Sequence, residues 1–530
     1  MLNKTSFTVT RRMALLGATA LLTLPRTTLA QTGPVEGGRL VLIARPEPAT
    51  LGLGLNLQAP TIYVGGKIFE SLLTYTTDLE PMPSLAKSWS ISEDGLTYRF
   101  ELQQNATWHD GTPFTSADVV FTADDMMRSS HPRWKLLAET YVERIEADGD
   151  FAVTFTLREP FSAFIYAFEL SSLPIMARHI YEGTDYRTNP ANNAPIGTGP
   201  FKFVSWNRGQ SIELERYEDY WDDSAAHLDR VTFLVIPDAA SRETAFEQQM
   251  VDVLRPGDVE GFVARRLSET DDVVMTTMGE EFYAPHAFIQ MNLRKPPFNN
   301  LKIRQAVMHA VDRNFISNNI WFGMAAPATG PVSSRTAFYE PDVTPYPFDI
   351  EKAQSLVAES GLSGDDLKVT LTPLPYGQQW DRTAEYIAQQ LTQAGLDVSI
   401  KGVDVSGWAQ ALSTWEFDLA LNYTYQYAHP ALGVARHYLS SNIIQGTPAA
   451  NNEGYSNPEA DRLFAEAANS VDPEETQRLY TEVQKLLVDD VALGWIFEMR
   501  SPTIYRDTVN EVVTSAIGAM DTMKATWKAA

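Results

Sequence analysis

Short runs of alternating apolar and polar residues dominate the chain between residues 81 and about 203. Residues 97–102 (TYRFEL) and 151–157 (FAVTFTL) have the period of two that is typical of a half-buried strand. Residues 93–95 (EDG) precede the first run and favour a tight turn. We therefore predict a β-rich subdomain over residues 81–203, ending in a turn at 195–200 that enters a further strand.

Other segments near the N-terminal end predict helices and a short strand. An apolar run at 39–44 predicts a strand. The run 64–73 predicts a helix whose apolar side is formed by Val64, Ile68, Phe69 and Leu72. Thr115 or Ser116 is placed to cap a helix that begins near Asp118.

From Leu301 onward, helical patterns alternate with strand patterns. A helix is predicted over 302–316, and two more are predicted over 349–360 and 381–394, each beginning at an aspartate and followed by glycine. A strand at 396–400 follows the last of them directly. This order predicts an α/β lobe in the C-terminal half.

Residues 417–430 (FDLALNYTYQYAHP) form the richest candidate for a binding site. The alternation predicts a strand whose far end carries aromatic side chains into a polar loop. In an open α/β sheet, ligands bind beyond the carboxyl ends of the strands. The candidates are Tyr423, Tyr425, Gln426, Tyr427 and His429. The alternative is that Tyr423 and Tyr425 are core residues.

The first thirty residues predict a secretory leader. Lys4, Arg11 and Arg12 precede an apolar run at 13–24, and small residues lead to a predicted cleavage after Ala30. A run of twelve apolar residues is too short for a bilayer span, which needs about twenty. The paired arginines fit both the general secretory and the twin-arginine route, so the route stays open.

Composition narrows the class of protein. At 530 residues, with 44% hydrophobic and 21% charged residues, the chain is globular and too long for one ordinary core. Loss of the leader, which holds four basic residues and no acid, takes the formal net charge from −25 to −29. Such a surface repels nucleic acid and anionic membranes. Because the chain has no cysteine, disulfides, thiolate metal sites and a lipidated cysteine are excluded, and we expect a protein free in a periplasm.

The sequence lacks common catalytic motifs. It has no HExxH, GxSxG or GxxxxGK[ST], and residues 197–199 lack the third glycine of a dinucleotide fingerprint. His429 and His437 are eight residues apart, which fits no compact metal motif. His109 and Asp110 adjoin in a turn and are not oriented as a catalytic pair. We therefore predict no cofactor, no metal and no enzymatic activity.

Residues 84–122 (SLAKSWSISEDGLTYRFELQQNATWHDGTPFTSADVVFT) resemble family 5 of the extracytoplasmic solute-binding proteins, which serve peptide-type ABC importers. Further blocks resemble the same family in the same order, so that the resemblance covers essentially the whole chain after the leader. They are IGTGPFKFVSW, ERYEDYW, NLRKPPFNNLKIRQAVMHAVDR, FDIEKAQSLVAESGL and YSNPEADRLF.

The resemblance implies a fold and a domain order. The fold would be that of a type II, cluster C-like periplasmic binding protein, with two α/β lobes hinged around a cleft and a β-rich subdomain in the first lobe. Residues 31–80, 204–295 and 501–530 would form lobe I, residues 81–203 its subdomain, and residues 296–500 lobe II.

The resemblance also implies ligand-binding positions outside the strand at 417–430. Tyr376 and Trp408 match aromatic positions that line the family's pocket, and Asn56 and Gln58 lie in a loop that touches ligand in the family. A pocket lined by aromatic side chains and a small number of polar groups suits a small polar molecule with flat faces.

Two departures from the dipeptide-binding pattern bear on the ligand. The acid that pairs with a peptide's amino group is replaced by Gln426, and the arginine that pairs with its carboxylate is replaced by Leu374. Buried charges bind well only when paired, so these losses argue against a zwitterionic dipeptide. Arg500 is a candidate anion site, with an ordinary surface or hinge residue as the alternative.

The sequence therefore predicts a monomeric substrate-binding protein that passes a small molecule to an inner-membrane ABC permease and its ATPase subunits. A sugar-derived or opine-like conjugate or an oligosaccharide is the favoured ligand, and an oligopeptide is the alternative. A secreted hydrolase with paired carboxylates and a periplasmic sensor or chaperone partner are competing hypotheses.

Overall fold

The strands of the N-terminal half form two four-stranded sheets in the computed structural model, which describes residues 33–529. The predicted leader lies outside the described residues. The first sheet contains, in spatial order, Arg39–Ile43, Arg230–Leu234, Ser211–Arg216 and Phe201–Asn207. Its first pair is parallel and the other pairs are antiparallel.

The second four-stranded sheet is antiparallel throughout and lies within the predicted β-rich segment. Its order is Ala86–Ile91, Thr97–Leu102, Ala152–Leu157 and Val142–Ala147. The alternation of Thr97–Leu102 is that of a half-buried strand, since Tyr98, Phe100 and Leu102 are buried and their neighbours are half-exposed. Thr115 caps the helix Ser116–Val120 in a reciprocal capping box with Asp118.

The C-terminal half is built on a six-stranded mixed sheet. Its order is Ala325–Pro327, Gly494–Met499, His286–Met291, Leu419–Thr424, Lys368–Thr372 and Asp397–Ile400. One of its central strands, His286–Met291, precedes residue 296, the predicted start of lobe II. The predicted lobe boundaries stay predictions.

Three small sheets complete the strand pairing, and one of them joins distant parts of the chain. Thr503–Arg506 lies between Val253–Leu254 and Val273–Thr276, Leu73–Tyr75 pairs with Pro81–Pro83, and Val509–Asn510 pairs with Trp527–Lys528. The segment after residue 500 therefore returns to strands from the first half of the chain.

The helices cover the faces and edges of these sheets. In the first half they are Ala59–Gly65, Ser116–Val120, Met127–Ser130, Pro132–Tyr141, Arg178–Tyr181, Ala239–Glu247 and Gly261–Leu267, with a π-helical segment at Phe121–Met126. In the second half they are Leu301–Ala310, Arg313–Phe315, Ile350–Glu359, Gln378–Gln393, Val405–Thr414, Pro430–Gly433, Pro458–Asn469 and Pro473–Asp490, with a π-helical segment at Ile316–Ile320.

Two large hydrophobic cores lie within this framework. The first core contains Phe100, Trp108 and Phe233, and the second core contains Leu421 and Phe497. Burial of apolar surface in two separate clusters gives each half of the molecule its own stabilisation.

Three helix predictions were wrong in their limits. The helix predicted at 64–73 is Ala59–Gly65, because the chain turns at Gly66, where a side chain would collide with the carbonyl of Met520. The helix predicted to begin at Asp381 is Gln378–Gln393, with Gly377 at its N-cap. The helix predicted over 302–316 ends at Ala310 and a new one begins after Asp312, whose side chain accepts from the backbone N–H of Phe315.

Candidate functional site

The end of the strand Leu419–Thr424 lies where the two hydrophobic cores meet. Tyr423 packs against the second core, its ring stacked 6.0 Å from that of Trp380. Tyr425 and Tyr427, just beyond the strand, pack against the first core. The strand therefore delivers its last aromatic residues from one half of the molecule to the other, the position at which a two-lobed protein has its cleft.

Three tyrosines form a continuous aromatic row at this crossing, and a fourth lies beside it. The ring centroids of Tyr423 and Tyr425 are 5.5 Å apart, and those of Tyr425 and Tyr427 are 5.9 Å apart. Tyr283 lies beside the row, 5.5 Å from Tyr425 and 6.2 Å from Tyr427. The three tyrosines of the 423–427 segment are only partly buried. Phenols combine a flat apolar face with a polar tip, which suits contact with a small polar ligand.

Backbone geometry fixes the far end of the aromatic row. Tyr427 and Ala428 both have positive φ, at 52° and 62°, which turns the chain sharply. The backbone N–H of Gln426 donates to Tyr283 O at 2.7 Å, and that of Ala428 donates to Phe282 O at 2.7 Å. These bonds to the 282–283 segment hold a conformation that non-glycine residues rarely adopt.

Gln426 is an interior residue. It is fully buried, and its Oε1 accepts from the N–H of Ser333 at 2.8 Å. Its Nε2 lies 2.9 Å from Pro331 O and 3.0 Å from Nδ1 of His286. Both N–H positions and one acceptor position of this amide are engaged within the protein, and the side chain is fully buried. These bonds hold the turn that positions the tyrosines on either side. A role of Gln426 in ligand binding stays a prediction.

His429 is likewise buried, with 1% of its surface exposed. Its Nδ1 accepts from the backbone N–H of Ala431 at 3.2 Å and so caps the short helix Pro430–Gly433. Burial lowers the pKa of His429 to about 3, which leaves the imidazole uncharged at neutral pH. It therefore contributes neither charge nor a free ring edge on the solvent side.

The two aromatic residues before this strand have different environments. Tyr376 is 52% exposed, and its ring lies 6.2 Å from Tyr423, at the open end of the aromatic row. Trp408 is 8% exposed and belongs to the second core, where its indole N–H donates to Leu421 O at 3.2 Å. The structure thus brings Tyr376 to the row and gives Trp408 the contacts of a core residue.

The remaining predicted residues make local contacts. The backbone N–H of Gln58 donates to Oδ1 of Asn56 at 3.0 Å, in the turn before the helix Ala59–Gly65. The side chain of Arg500 is 40% exposed, and its Nη2 lies 3.5 Å from Oε2 of Glu498. Their role in ligand binding stays a prediction.

Three charged residues near the row were not found from the sequence. The guanidinium carbons of Arg133 and Arg436 lie 3.8 and 5.9 Å from the ring centre of Tyr427. Near the other end, burial raises the pKa of Glu280 to about 7. Burial also raises the pKa of Tyr423 and Tyr425, and the charge of Glu280 adds a smaller contribution in the same direction. These three residues are far apart in the sequence and approach the aromatic row only in the folded protein. No local sequence motif therefore identifies them.

Residues 80–446 match the family described as bacterial extracellular solute-binding proteins, family 5 Middle. The matched segment is well over half of the chain. The chain belongs to this family.

Similar proteins and structures extend the match over nearly the whole solute-binding protein. It is 28% identical over 443 residues to the glutathione-binding protein of Pectobacterium atrosepticum, which covers 82% of this chain and 83% of the relative. Its fold matches that of the ABC transporter substrate-binding protein CtaP from Listeria monocytogenes, with a TM-score of 0.83, 26% identity, and coverage of 93% and 100%. It also matches AgaA from A. tumefaciens R10 in complex with agropinic acid, with a TM-score of 0.73, 22% identity, and coverage of 93% and 99%.

These matches confirm the predicted fold class, a two-lobed α/β binding protein, and the general role of substrate binding for an ABC importer. Members of the family are extracytoplasmic and work with a permease and ATPase components. Within residues 33–529 of the solute-binding protein, no helix is both long and apolar enough to cross a membrane. In the same range, no group of three or more His, Cys, Asp or Glu side chains is arranged to hold a metal ion.

The interior contacts of Trp408 lead to a prediction for this solute-binding protein. We expect Trp408→Ala to lose about 3–5 kcal/mol of unfolding free energy, as truncation of a buried tryptophan does. Trp408→Phe keeps one ring but loses the bond to Leu421 O and part of the buried ring volume, so we expect a smaller loss of about 1–2 kcal/mol. Urea unfolding measures both. A Trp408→Phe protein of unchanged stability but weakened ligand binding would contradict the core role and restore the predicted ligand contact.

Proposed function

We propose that this protein captures a small polar solute in the cleft between its lobes and delivers it to an inner-membrane permease. The observation that carries the proposal is the partly exposed aromatic row at the crossing between the two cores, with charged side chains near both of its ends. Closure of the lobes would remove the solute from water and stack its faces on the tyrosines, so that the bound solute favours the closed state.

The ligand we favour is an opine-like or other sugar-derived conjugate, or an oligosaccharide, rather than a simple dipeptide. Leu374 is 1% exposed and Gln426 is fully buried with its amide engaged. Neither position supplies the charge that would pair with a terminus of a dipeptide. Unpaired termini would be costly to desolvate in a closed cleft. The agropinic acid complex of AgaA is consistent with such a ligand class within the same fold.

An oligopeptide is the alternative, and Glu280 is the observation that favours it. Oε2 of Glu280 is buried and has no hydrogen-bond partner within the described residues. A carboxyl group in this state can accept a bond from an ammonium or amide of a bound peptide. Main-chain hydrogen bonding would supply the rest of the affinity.

Native mass spectrometry of the protein purified without denaturation tests the proposal directly. We expect a solute of small mass to copurify with the monomer, and the intact mass of the chain to lack residues 1–30. Recovery of the solute chemically unchanged after long incubation is expected of a transport protein. A chain that carries hydrolysed fragments would instead support the hydrolase hypothesis.

A thermal-shift panel separates the ligand classes. We expect agropinic acid or glutathione to raise the melting temperature more than L-alanyl-L-alanine does at the same concentration. A solute at a hundred times its Kd stabilises the folded state by about 2.7 kcal/mol, which corresponds to a shift of a few degrees. Micromolar binding of alanyl-alanine by calorimetry would contradict the argument from Gln426 and Leu374.

A further inference from the structure

Two arginines from different halves of the molecule meet at the end of the aromatic row. Arg133 belongs to the helix Pro132–Tyr141, whose Trp134 is part of the first core. Arg436 lies in the turn Ala435–His437, whose first residue is part of the second core. Their guanidinium carbons lie 3.8 and 5.9 Å from the ring centre of Tyr427, so residues from the two cores approach the same side chain. We call Arg133 and Arg436 the arginine pair.

One carboxylate accompanies these two guanidinium groups. Nη1 of Arg133 lies 3.5 Å from Oε1 of Glu169. That carboxylate is already held by the N–H and hydroxyl of Ser171 at 2.6 and 2.5 Å and by the hydroxyl of Ser172 at 2.5 Å. Within residues 33–529, Arg436 has no carboxylate within 4 Å and donates only to the hydroxyl of Thr424. A positive charge is left uncompensated.

Hydrogen-bond donors of the arginine pair are also unused. Nη2 of Arg133 and Nε of Arg436 are buried and lack an acceptor within the described residues. Burial lowers the pKa of Arg436, and the charge of Arg133 lowers it further, while Tyr427 acts in the opposite direction. Guanidinium groups nevertheless stay charged in proteins. The ring of Tyr427 offsets part of the cost through its π face, but it accepts no strong hydrogen bond there.

We propose that the arginine pair is an anion subsite of the cleft and binds a carboxylate of the transported solute. A carboxylate has two oxygens and accepts bonds from both groups at once, which satisfies the free donors and cancels the excess charge. Because one arginine comes from each half, the bound carboxylate would also hold the halves together. This inference rests on the proposed function and narrows the ligand to acidic solutes, such as opine-like acids or glutathione, over neutral oligosaccharides.

The test compares Arg133→Gln and Arg436→Gln with Arg462→Gln. Arg462 is an exposed arginine on the helix Pro458–Asn469, paired with Glu459 and Glu466, and serves as the matched control. Calorimetry with agropinic acid, glutathione, maltose and inorganic phosphate measures affinity, and thermal unfolding without solute measures stability. Native mass spectrometry records the copurified solute in each protein.

We expect the wild-type and Arg462→Gln proteins to bind a carboxylate probe equally, and either cleft variant to bind it at least tenfold more weakly. We also expect Arg436→Gln to melt no lower than the wild type without solute, because it removes a buried charge that has no partner. An arginine with a purely structural role would instead lose stability and keep its affinity.

Other outcomes separate the two proposals. If the wild type binds maltose, or carries a neutral solute, and the arginine variants bind it equally well, the anion subsite is wrong and the proposed function stands. Preference for inorganic phosphate over every carboxylate would also overturn the subsite as stated. If the wild type carries no solute and binds none of the probes, the proposed function itself fails, and the subsite fails with it.

Discussion

The Glu453→Gln protein is expected to be more stable than the wild type at pH 8 and about equally stable near pH 4.5. Glu453 is fully buried, and burial raises its pKa to about 8 from an ordinary value of 4.5. Between these two values the folded protein holds a proton that the unfolded chain has lost, so stability falls as the pH rises through this window. Each pKa unit corresponds to about 1.4 kcal/mol, which gives a penalty of roughly 3–5 kcal/mol above pH 8.

Glutamine removes this penalty because it resembles the protonated acid at every pH. Oε2 of Glu453 accepts from Nε2 of Gln290 at 3.1 Å, and the amide oxygen of glutamine can take the same position. Thermal unfolding at pH 5 and pH 8 measures the difference. Glu459→Gln is the control, because Glu459 is exposed, its pKa is lowered by Arg462, and its replacement should bring no gain at pH 8. Equal melting temperatures of wild type and Glu453→Gln at pH 8 would show that Glu453 is ionised in the folded state.

Local patterns predicted those elements whose burial repeats along the chain itself. The strand Thr97–Leu102 coincides with its predicted limits, and Leu419–Thr424 lies within the segment 417–430 for which a strand and a loop were predicted. In Thr97–Leu102 one side faces a core, so burial alternates as the geometry of a strand requires. Leu419–Thr424 is a central strand that is buried at five of its six residues, so only its sequence alternates. The capping role of Asp349 was also predictable, because an aspartate side chain needs only the N–H three residues later.

The errors arose where a distant segment decides the local structure. The apolar residues Ile68, Phe69 and Leu72 are buried as predicted, but they do not continue a helix. The chain leaves the helix at Gly66, where the backbone of residue 520 passes too close for a side chain. No pattern within residues 59–73 carries that information, since the neighbouring backbone comes from the opposite end of the chain.

The residues of the candidate site also fall into those that local sequence patterns predict and those that only the fold brings together. Sequence reasoning found the tyrosines of the aromatic row because they share one strand and the turn after it. It did not anticipate the interior contacts of Gln426, because an alignment gives a residue's position and not its hydrogen-bond partners, which come from residues 286, 331 and 333. It missed the arginine pair, whose members are about three hundred residues apart. Charges gathered by the fold are visible only in three dimensions.

Lys67→Met is expected to lower the free energy of unfolding by about 3–5 kcal/mol, because it leaves one buried and one partly buried carbonyl oxygen without a donor. Lys67 is fully buried, and its Nζ donates to Ala519 O and Asp521 O, both at 2.6 Å. Methionine fills a similar volume, so the loss should reflect the missing bonds and not a cavity. Urea unfolding measures the change, and Lys302→Met, which removes an exposed lysine paired with Glu359, is the control.

The location of the Lys67 bonds predicts that the loss of stability in Lys67→Met is concentrated in the C-terminal segment. They join the segment after the first helix to the last turns of the chain, and the strand Val509–Asn510 pairs with Trp527–Lys528 in the same C-terminal segment. Hydrogen exchange should therefore accelerate in Lys67→Met at residues 516–528 before it does so in the six-stranded sheet, because local opening precedes global unfolding. Uniform acceleration, or a melting temperature equal to that of Lys302→Met, would show that the C-terminal segment is held in place without Lys67.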